Sequence, residues 1–462
     1  MATRRIVVVG GGLAGMAAAV ALEDAGALVT LLESRQSLGG RAGSYEDPQT
    51  GEQLDNCQHV LLGCCTNLID FYRRIGAANH IRLERTLHFR DALGRRYDLW
   101  GRPGLPAPLH LGESFLRFGA LCATEKVALA RAMLAMASLG RAGREALAEV
   151  PFGQWLDDHH QPQSLITKLY DPIIISGLNE QTRQASAQYA IQIFQDALLS
   201  SRDGYVLGLP SCPLGELYAR IPCRDVRLGE RVSGLRIVGD RVVGLTLHDA
   251  QELAADAVVL ATNYHALQRW IPEQWTRDDS RFGLLDHLES IPILGAHLWF
   301  DRPVMTDSHA ALISGPLQWA FRKDDEGRRV HGVISAAREW ASGAKQDLLA
   351  RFESQIRATF PGARDARLER GVIVIEKRAT FSPLPGVDRF RPPQEPPSGG
   401  LRNLFLAGDY TRTGWPATME GAVRSGYLAA EAVLKWLPDG PRRRIVVDDL
   451  PVEWPARLLG LG

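Results

Sequence analysis

Ile6-Val7-Val8-Val9-Gly10-Gly11-Gly12-Leu13-Ala14-Gly15 decides how the rest of this chain is read. Four consecutive β-branched residues predict a strand buried on both faces, as in a parallel sheet. Glycines at 10, 12 and 15 follow it, and the alanine-rich stretch from Gly15 to Ala25 predicts a helix closed by Gly26. A second strand, Leu28-Val29-Thr30-Leu31-Leu32, ends at Glu33. This is a βαβ unit carrying a dinucleotide fingerprint in the context that the fingerprint requires. Gly10 permits the tight turn, Gly12 lets backbone approach a pyrophosphate, and Gly15 lets helix and strand close up. The helix start offers free N–H groups to phosphate, and Glu33 is placed to accept hydrogen bonds from ribose hydroxyls. An acid at that position disfavours a 2′-phosphate.

Far downstream, Leu404-Phe405-Leu406-Ala407-Gly408-Asp409 predicts a buried strand that delivers a carboxylate at a glycine turn. Trp415-Pro416-Ala417-Thr418-Met419-Glu420-Gly421-Ala422 then starts a helix. A nicotinamide enzyme needs only the first element. A flavin enzyme must hold a second, distant part of its cofactor, and the later element suits that task. Two-electron reduction of a flavin places negative charge on one edge of the ring, where a helix N-terminus is stabilising. Glu420 in that first turn also reads as ordinary helix-charge complementarity.

The chain has 462 residues, too many for one ordinary core, so two joined domains are expected. Its 53 basic and 53 acidic residues leave no basic excess for nucleic acid to attract, and that class is set aside. No run of about 18 apolar residues predicts a membrane span. The strand at Ile6 begins so early that a leader peptide is not expected before it. Six cysteines, Cys57, Cys64, Cys65, Cys122, Cys212 and Cys223, lack metal-binding spacing, so reduced thiols in a cytoplasmic protein and no metal site are expected.

Between the two cofactor elements the texture varies. Residues 110–150 are rich in Ala, Leu and Met at helical spacing, and 163–200 also read as helical. Strands are predicted at Val232–Ile237 and Val242–Leu247 around the turn Gly239-Asp240, and at Ala257–Ala261. Further strands fall at Gly295–Phe300, Val330–Ser335 and Gly371–Ile375, before a proline-rich connector from Pro383 to Gly400 and a last helix over Ala422–Leu437. The expected fold class is α/β, a discontinuous Rossmann-type FAD-binding domain with an inserted α+β substrate domain. The FAD domain is expected over residues 1–85, 205–285 and 396–440. The substrate domain is expected over 86–204, its helical first segment, and over 286–395, its second segment with sheet; a tail occupies 441–462.

Leu38-Gly39-Gly40-Arg41-Ala42, just past the βαβ unit, resembles the FAD-dependent amine oxidase and phytoene desaturase superfamily, whose cradle is followed by such a Gly-Gly-Arg. The resemblance implies that Arg41 reaches the pyrophosphate, that the hairpin at Val232 packs on the adenine, and that Asp409 binds the ribityl-phosphate part. It implies a cofactor-binding set of Gly10, Gly12, Leu13, Ala14, Gly15, Glu33, Ser34, Gly40, Arg41, Val232, Gly408, Asp409, Thr418, Met419 and Ala422. Asp55-Asn56-Cys57-Gln58-His59-Val60-Leu61-Leu62-Gly63, Lys377-Arg378-Ala379-Thr380-Phe381, Pro383-Leu384-Pro385-Gly386 and Gly414-Trp415-Pro416-Ala417-Thr418 narrow the likeness to one branch, the bacterial hydroxysqualene dehydroxylases. Cys57 departs from it, where glycine is expected. Amine oxidases carry an aromatic residue where this chain has Thr418, so that chemistry fits least.

The branch implies removal of the hydroxyl of hydroxysqualene by hydride from reduced FAD, with an external electron donor for the cofactor and a long apolar isoprenoid substrate. A dry cavity and an acid near the hydroxyl are then required. His59 is the first candidate acid, since the Gln58-His59 segment lies near the flavin in related desaturases; Asp55 and Glu420 follow it. A histidine bonded to a backbone carbonyl is the structural alternative for His59. The Ala/Leu/Met-rich helices and Leu298-Trp299-Phe300 either line a substrate tunnel or simply pack the core. The tail, Arg442-Arg443-Arg444 with Trp454–Leu459, either touches an anionic lipid surface at the inner face of the membrane or is solvated. Competing readings are a carotenoid or polyene desaturase of the same fold and a flavoprotein scaffold or lipid carrier without catalysis.

Overall fold

A computed structural model describes residues 4–461. The chain opens with β1 (Arg5–Val9), α1 (Leu13–Asp24) and β2 (Leu28–Glu33), then α2 (Thr66–Arg74). Two strands follow, β3 (Thr86–Arg90) and β4 (Arg96–Trp100), and two helices, α3 (Gly112–Arg117) and α4 (Ala123–Glu145). After further helices to Leu199 come β5 (Asp225–Leu228), the hairpin β6 (Val232–Val238) and β7 (Arg241–Leu247), and β8 (Ala257–Leu260). Then come β9 (Ser290–Phe300), β10 (His309–Leu312), β11 (Trp319–Arg322), β12 (Arg329–Ile334), α5 (Lys345–Thr359) and β13 (Leu368–Phe381). The chain closes with β14 (Leu404–Leu406), α6 (Met419–Trp436) and α7 (Trp454–Leu458).

The first sheet is parallel, in the order β5-β2-β1-β8-β14. Ile6, Val7 and Val8 have no exposed surface, because strands β2 and β8 flank them and layers cover both faces. All five strands end at one edge, where a doubly wound α/β fold opens its crevice. On one face α1 packs against α6, and the contact is close because its residues are small. A methyl at Gly426 would fall 2.2 Å from the Ala14 carbonyl oxygen. The opening and closing stretches of the sequence therefore share one core.

The second sheet has seven strands in the order β13-β9-β12-β11-β10-β3-β4. Its spine is the long antiparallel pair β9 and β13, from Ser290 opposite Phe381 to Phe300 opposite Leu368, with shifts of register at Ile291/Ile293 and Trp299/Phe300. Here the sequence reading fell short. The 86–204 segment expected to be helical contributes β3 and β4, ahead of its helices, to this sheet; β13 extends well beyond Gly371–Ile375, and α5 was not foreseen. α5 covers the sheet through Leu348, Phe352 and Ile356, which pack on Ala296, Leu298 and Val330.

The tail is not a loose extension. Ile445, Ala456 and Leu461 are buried, and Asn67 brackets Val447, donating to its carbonyl at 3.0 Å and accepting its N–H at 2.8 Å. Apolar residues at 445, 456 and 461 explain the docking, and Arg442–Arg444 stay exposed. Among the described residues no helix is long and apolar enough to cross a membrane.

Candidate flavin and substrate site

The first glycine cluster is built by steric exclusion. Gly10 has φ +111°, and a Cβ there would meet the Ala261 carbonyl oxygen at 2.6 Å; one at Gly15 would sit 1.8 Å from the Gly10 carbonyl oxygen. Gly12 differs, since nothing of the protein lies within 4 Å of where its Cβ would be. It caps α1 without a side-chain hydrogen bond, so the amides of the first turn, those of the buried Leu13 and Ala14 included, have no capping side chain as acceptor. The Gly39-Gly40 turn folds onto this cluster, with Gly39 N donating to the Gly11 carbonyl at 2.9 Å. That leaves a backbone-lined hollow at a helix N-terminus, the shape and polarity a pyrophosphate takes.

Glu33 is buried at the end of β2, accepting from Gly11 N at 2.7 Å, Arg35 N at 2.8 Å and Ser34 Oγ at 3.1 Å. The segment leading to Val232 runs beside it, with Glu230 N donating to the Glu33 carbonyl. The far end of the crevice is closed by the later element. Arg41 donates to Asp409 Oδ1 and to the Ala379 carbonyl, each at 2.6 Å. Gly408 adopts φ +149° and its N–H is held by Ser425 Oγ at 2.8 Å, which aims Asp409 into the crevice. Thr418 caps α6 by accepting from Gly421 N at 3.0 Å, which sets Met419 and Ala422 in its first turn. A small cavity beside the Arg41–Asp409 pair is lined by Tyr264, Arg378, Phe381 and Tyr410. Tyr410 Oη in this lining and Thr262 Oγ1 beside Gly10 are buried without a protein partner. An open glycine face, free amides and orphaned hydroxyls fit a flavin nucleotide lying along this edge.

The three candidate acids are placed very differently. Glu420 has no exposed surface and does not serve its own helix alone. It caps α2, accepting from Asn67 N at 3.2 Å, Leu68 N at 2.8 Å and Asn67 Nδ2 at 2.9 Å, and it pairs with Arg424 Nε at 2.8 Å. Burial pushes its carboxyl up from the ordinary range, against the pull of Arg424 and these donors. Asp55 accepts from Ser44 Oγ at 2.8 Å, Leu214 N at 2.9 Å and Lys323 Nζ at 3.0 Å. Burial works to raise it, yet Lys323 and those hydrogen bonds win, and it is held below its usual value. His59 Nδ1 lies 3.0 Å from the Cys57 carbonyl, which can only accept, so Nδ1 carries the proton and Nε2 is left to exchange one. Burial lowers its pKa.

Three polar residues near this segment were not singled out from the sequence. Lys323, on the loop after β11, joins Asp55 to Gln58, whose Oε1 accepts from Nζ at 3.1 Å. His297 on β9 and His331 on β12 are register partners. His297 Nε2 donates to the Asp55 carbonyl at 3.0 Å, so its Nδ1 accepts from His331 Nδ1 at 3.1 Å. That fixes both tautomers and leaves His331 Nε2 buried and unpartnered. Burial keeps both rings neutral, His297 down to about 4 and His331 well below the usual value. No local signal announces this pair, because each histidine sits in an ordinary strand.

A family model described as flavin containing amine oxidoreductase matches residues 13–434. A hydroxysqualene dehydroxylase of Rhodopseudomonas palustris is 30% identical over 448 residues, covering 94% of this chain and 99% of that protein. A zeta-carotene desaturase of a Synechocystis species is 27% identical over 480 residues, covering 93% and 97%. Among solved structures, an oxidoreductase from Methanosarcina mazei superposes with a TM-score of 0.71 at 15% identity, covering 93% of this chain and all of the other.

Proposed function

The chain belongs to the flavin containing amine oxidoreductase family and is an FAD-dependent oxidoreductase, and from that premise we propose that it removes the hydroxyl of hydroxysqualene to give squalene. The observation that carries this reading is the likeness, over almost the whole length of both chains, to the Rhodopseudomonas palustris dehydroxylase. In this reading the carbon–oxygen bond breaks, the oxygen leaves as water with one added proton, and a hydride fills the vacated carbon. When bound, reduced FAD supplies that hydride, and an external donor restores its electrons.

The residues divide the remaining work. Gly12, the first-turn amides, Arg41 and Asp409 hold the cofactor, with Glu33, Ser34 and the segment at Val232 at its nucleoside end. Residues 1–85, 205–285 and 396–440 form the cofactor part, and 86–204 with 286–395 the substrate part. His59 Nε2 is the atom that passes a proton to the leaving hydroxyl from the charged ring, since Nδ1 is committed to Cys57. Asp55 and Glu420 have all their oxygens engaged by donors, and they position the loop at Gln58 and the start of α2. A thirty-carbon isoprenoid resides in membranes, so the enzyme works at the membrane surface on the cytoplasmic side.

The experiment is a single anaerobic turnover of the purified holoenzyme, reduced beforehand, with hydroxysqualene. Squalene formed in step with flavin oxidation supports the reading. The likeness to the zeta-carotene desaturase favours a second one, oxidative desaturation of a polyene. That reaction requires oxidised flavin, so product only from the oxidised enzyme and a polyene would replace the first reading with the second.

A further inference from the structure

Large apolar side chains are exposed unevenly over this protein. Seven of the thirteen such residues among the described ones lie in just two stretches, 105–134 and 454–458. Leu116, Trp454 and Leu458 are 72%, 62% and 78% exposed. On α4, Val127, Arg131, Leu134 and Ser138 form a single outward row at helical spacing, and Val127 and Leu134 on it are half exposed. A soluble surface rarely gathers large apolar groups in this way without a use for them.

The contacts between these stretches make them sides of one face. Lys126 Nζ at the start of α4 donates to the Leu116 carbonyl at the end of α3, 2.6 Å away. Ala107 N, in the loop before α3, donates to Glu453 Oε2 at the start of α7, 2.5 Å away. Gly460, just past α7, packs on Ser138 of α4. The inward sides agree: Leu129, Ala132 and Met136 of α4 share one core with Ala456 of α7. The exposed residues of α4 and α7 therefore lie on the sides turned away from that shared core, and the Lys126–Leu116 contact sets the end of α3 beside them.

The charge on this face has a positive excess. Its carboxylates are Glu113, paired with Arg102 and Arg117, Glu453, paired with Arg202, the buried Glu125, paired with Lys168, and the exposed Glu145 at the far end of α4, beyond the break at Gly140. Arg131 and Arg457 are exposed and have no carboxylate partner among the described residues. Apolar side chains rimmed by uncompensated arginine match the interface of a bilayer carrying anionic headgroups, and Trp454 suits the headgroup level.

We propose that the outward face formed by α3, α4 and α7 with the loop at 102–111 seats the protein on an anionic lipid bilayer. The geometry stands by itself; the proposal rests on the apolar-substrate reading only for the purpose of the contact.

The test is co-sedimentation of the full-length holoenzyme with vesicles of phosphatidylcholine alone and with vesicles about a third phosphatidylglycerol. Binding to the anionic vesicles is expected to be about tenfold tighter or more. The triple variant Leu116→Glu, Leu134→Glu, Leu458→Glu should lose it, while Arg131→Gln with Arg457→Gln should narrow the gap between the two vesicle types. Unchanged flavin absorbance and melting temperature show that these surface variants fold. The proposal is overturned if the wild type stays in the supernatant with both vesicles or if the triple variant binds like the wild type. It is also overturned if sedimentation velocity without lipid shows a dimer that the triple variant dissociates, which would make the face a self-interface. Turnover of detergent-solubilised hydroxysqualene reads the substrate separately, so the two proposals fail by different measurements.

Discussion

Arg41 and Asp409 stand 368 positions apart in the chain and 2.6 Å apart in the fold. The pair joins the loop after the first βαβ unit to the turn that ends β14, and so closes the crevice at the edge of the parallel sheet. Its two members are unequal, with side-chain exposures of 38% for Arg41 and 9% for Asp409.

That inequality sets an order for their substitutions. Arg41→Ala leaves a buried carboxylate without its cation, and breaking such a pair costs up to about 3–5 kcal/mol when fully buried, less here because the arginine is partly solvated. Asp409→Ala leaves a guanidinium that water can still reach. Chemical denaturation of the apoprotein should therefore find Arg41→Ala the more destabilised, while visible flavin absorbance per chain should fall for both.

Gly12 and Gly15 separate folding from cofactor binding. A methyl at Gly15 collides with backbone at 1.8 Å, so Gly15→Ala should fail to accumulate as folded protein. A methyl at Gly12 meets nothing within 4 Å, and Gly12→Ala should melt like the wild type yet bind FAD at least about tenfold more weakly. Normal FAD affinity in Gly12→Ala would refute the assigned cradle.

Glu420→Ala removes four donors' acceptor from the interior. It uncaps α2 and strands Arg424, a loss of about 3–5 kcal/mol by the cost of breaking a buried pair. Glu420→Gln keeps an acceptor for the α2 amides and should recover part of that loss in the same denaturation series. An equal loss in both variants would mean that the charge, not the cap, carries the stability.

Glu125, buried in the first turn of α4, supplies an acid-stability signature. Burial disfavours its charge, but Ser164, Lys168 and the Cys122 N–H hold its pKa at about 2, against 4.5 for a free glutamate. A depressed folded-state value means a contribution fully present above 4.5 and lost as pH falls towards 2. Melting temperature plotted against pH should fall more steeply over that window for the wild type than for Glu125→Gln.

His59 gives the chemistry a pH dependence of opposite use. Donation of a proton needs the charged ring, and burial holds its pKa below 6.5. Single-turnover rates with pre-reduced enzyme should therefore rise as pH falls through a midpoint below 6.5, and His59→Ala should lose that limb together with most of the rate. A flat profile in the wild type would remove His59 from the proton path.

The sequence by itself determined the βαβ unit, the Val232–Leu247 hairpin and the buried strand before Asp409. Each is legible because apolar periodicity and glycine placement report an element's own surroundings. It also marked Arg41 and Asp409 as cofactor residues, one from a Gly-Gly-Arg and one from a strand end. Tertiary structure alone decided that these two meet, and that Glu420 caps a helix more than three hundred residues away. It alone placed β3 and β4 at the edge of the second sheet, paired His297 with His331, and gathered Leu116, Leu134 and Leu458 on one face. Such partnerships are chosen by which surfaces can be buried together. No window of local sequence contains that information, since the residues that settle it lie elsewhere in the chain.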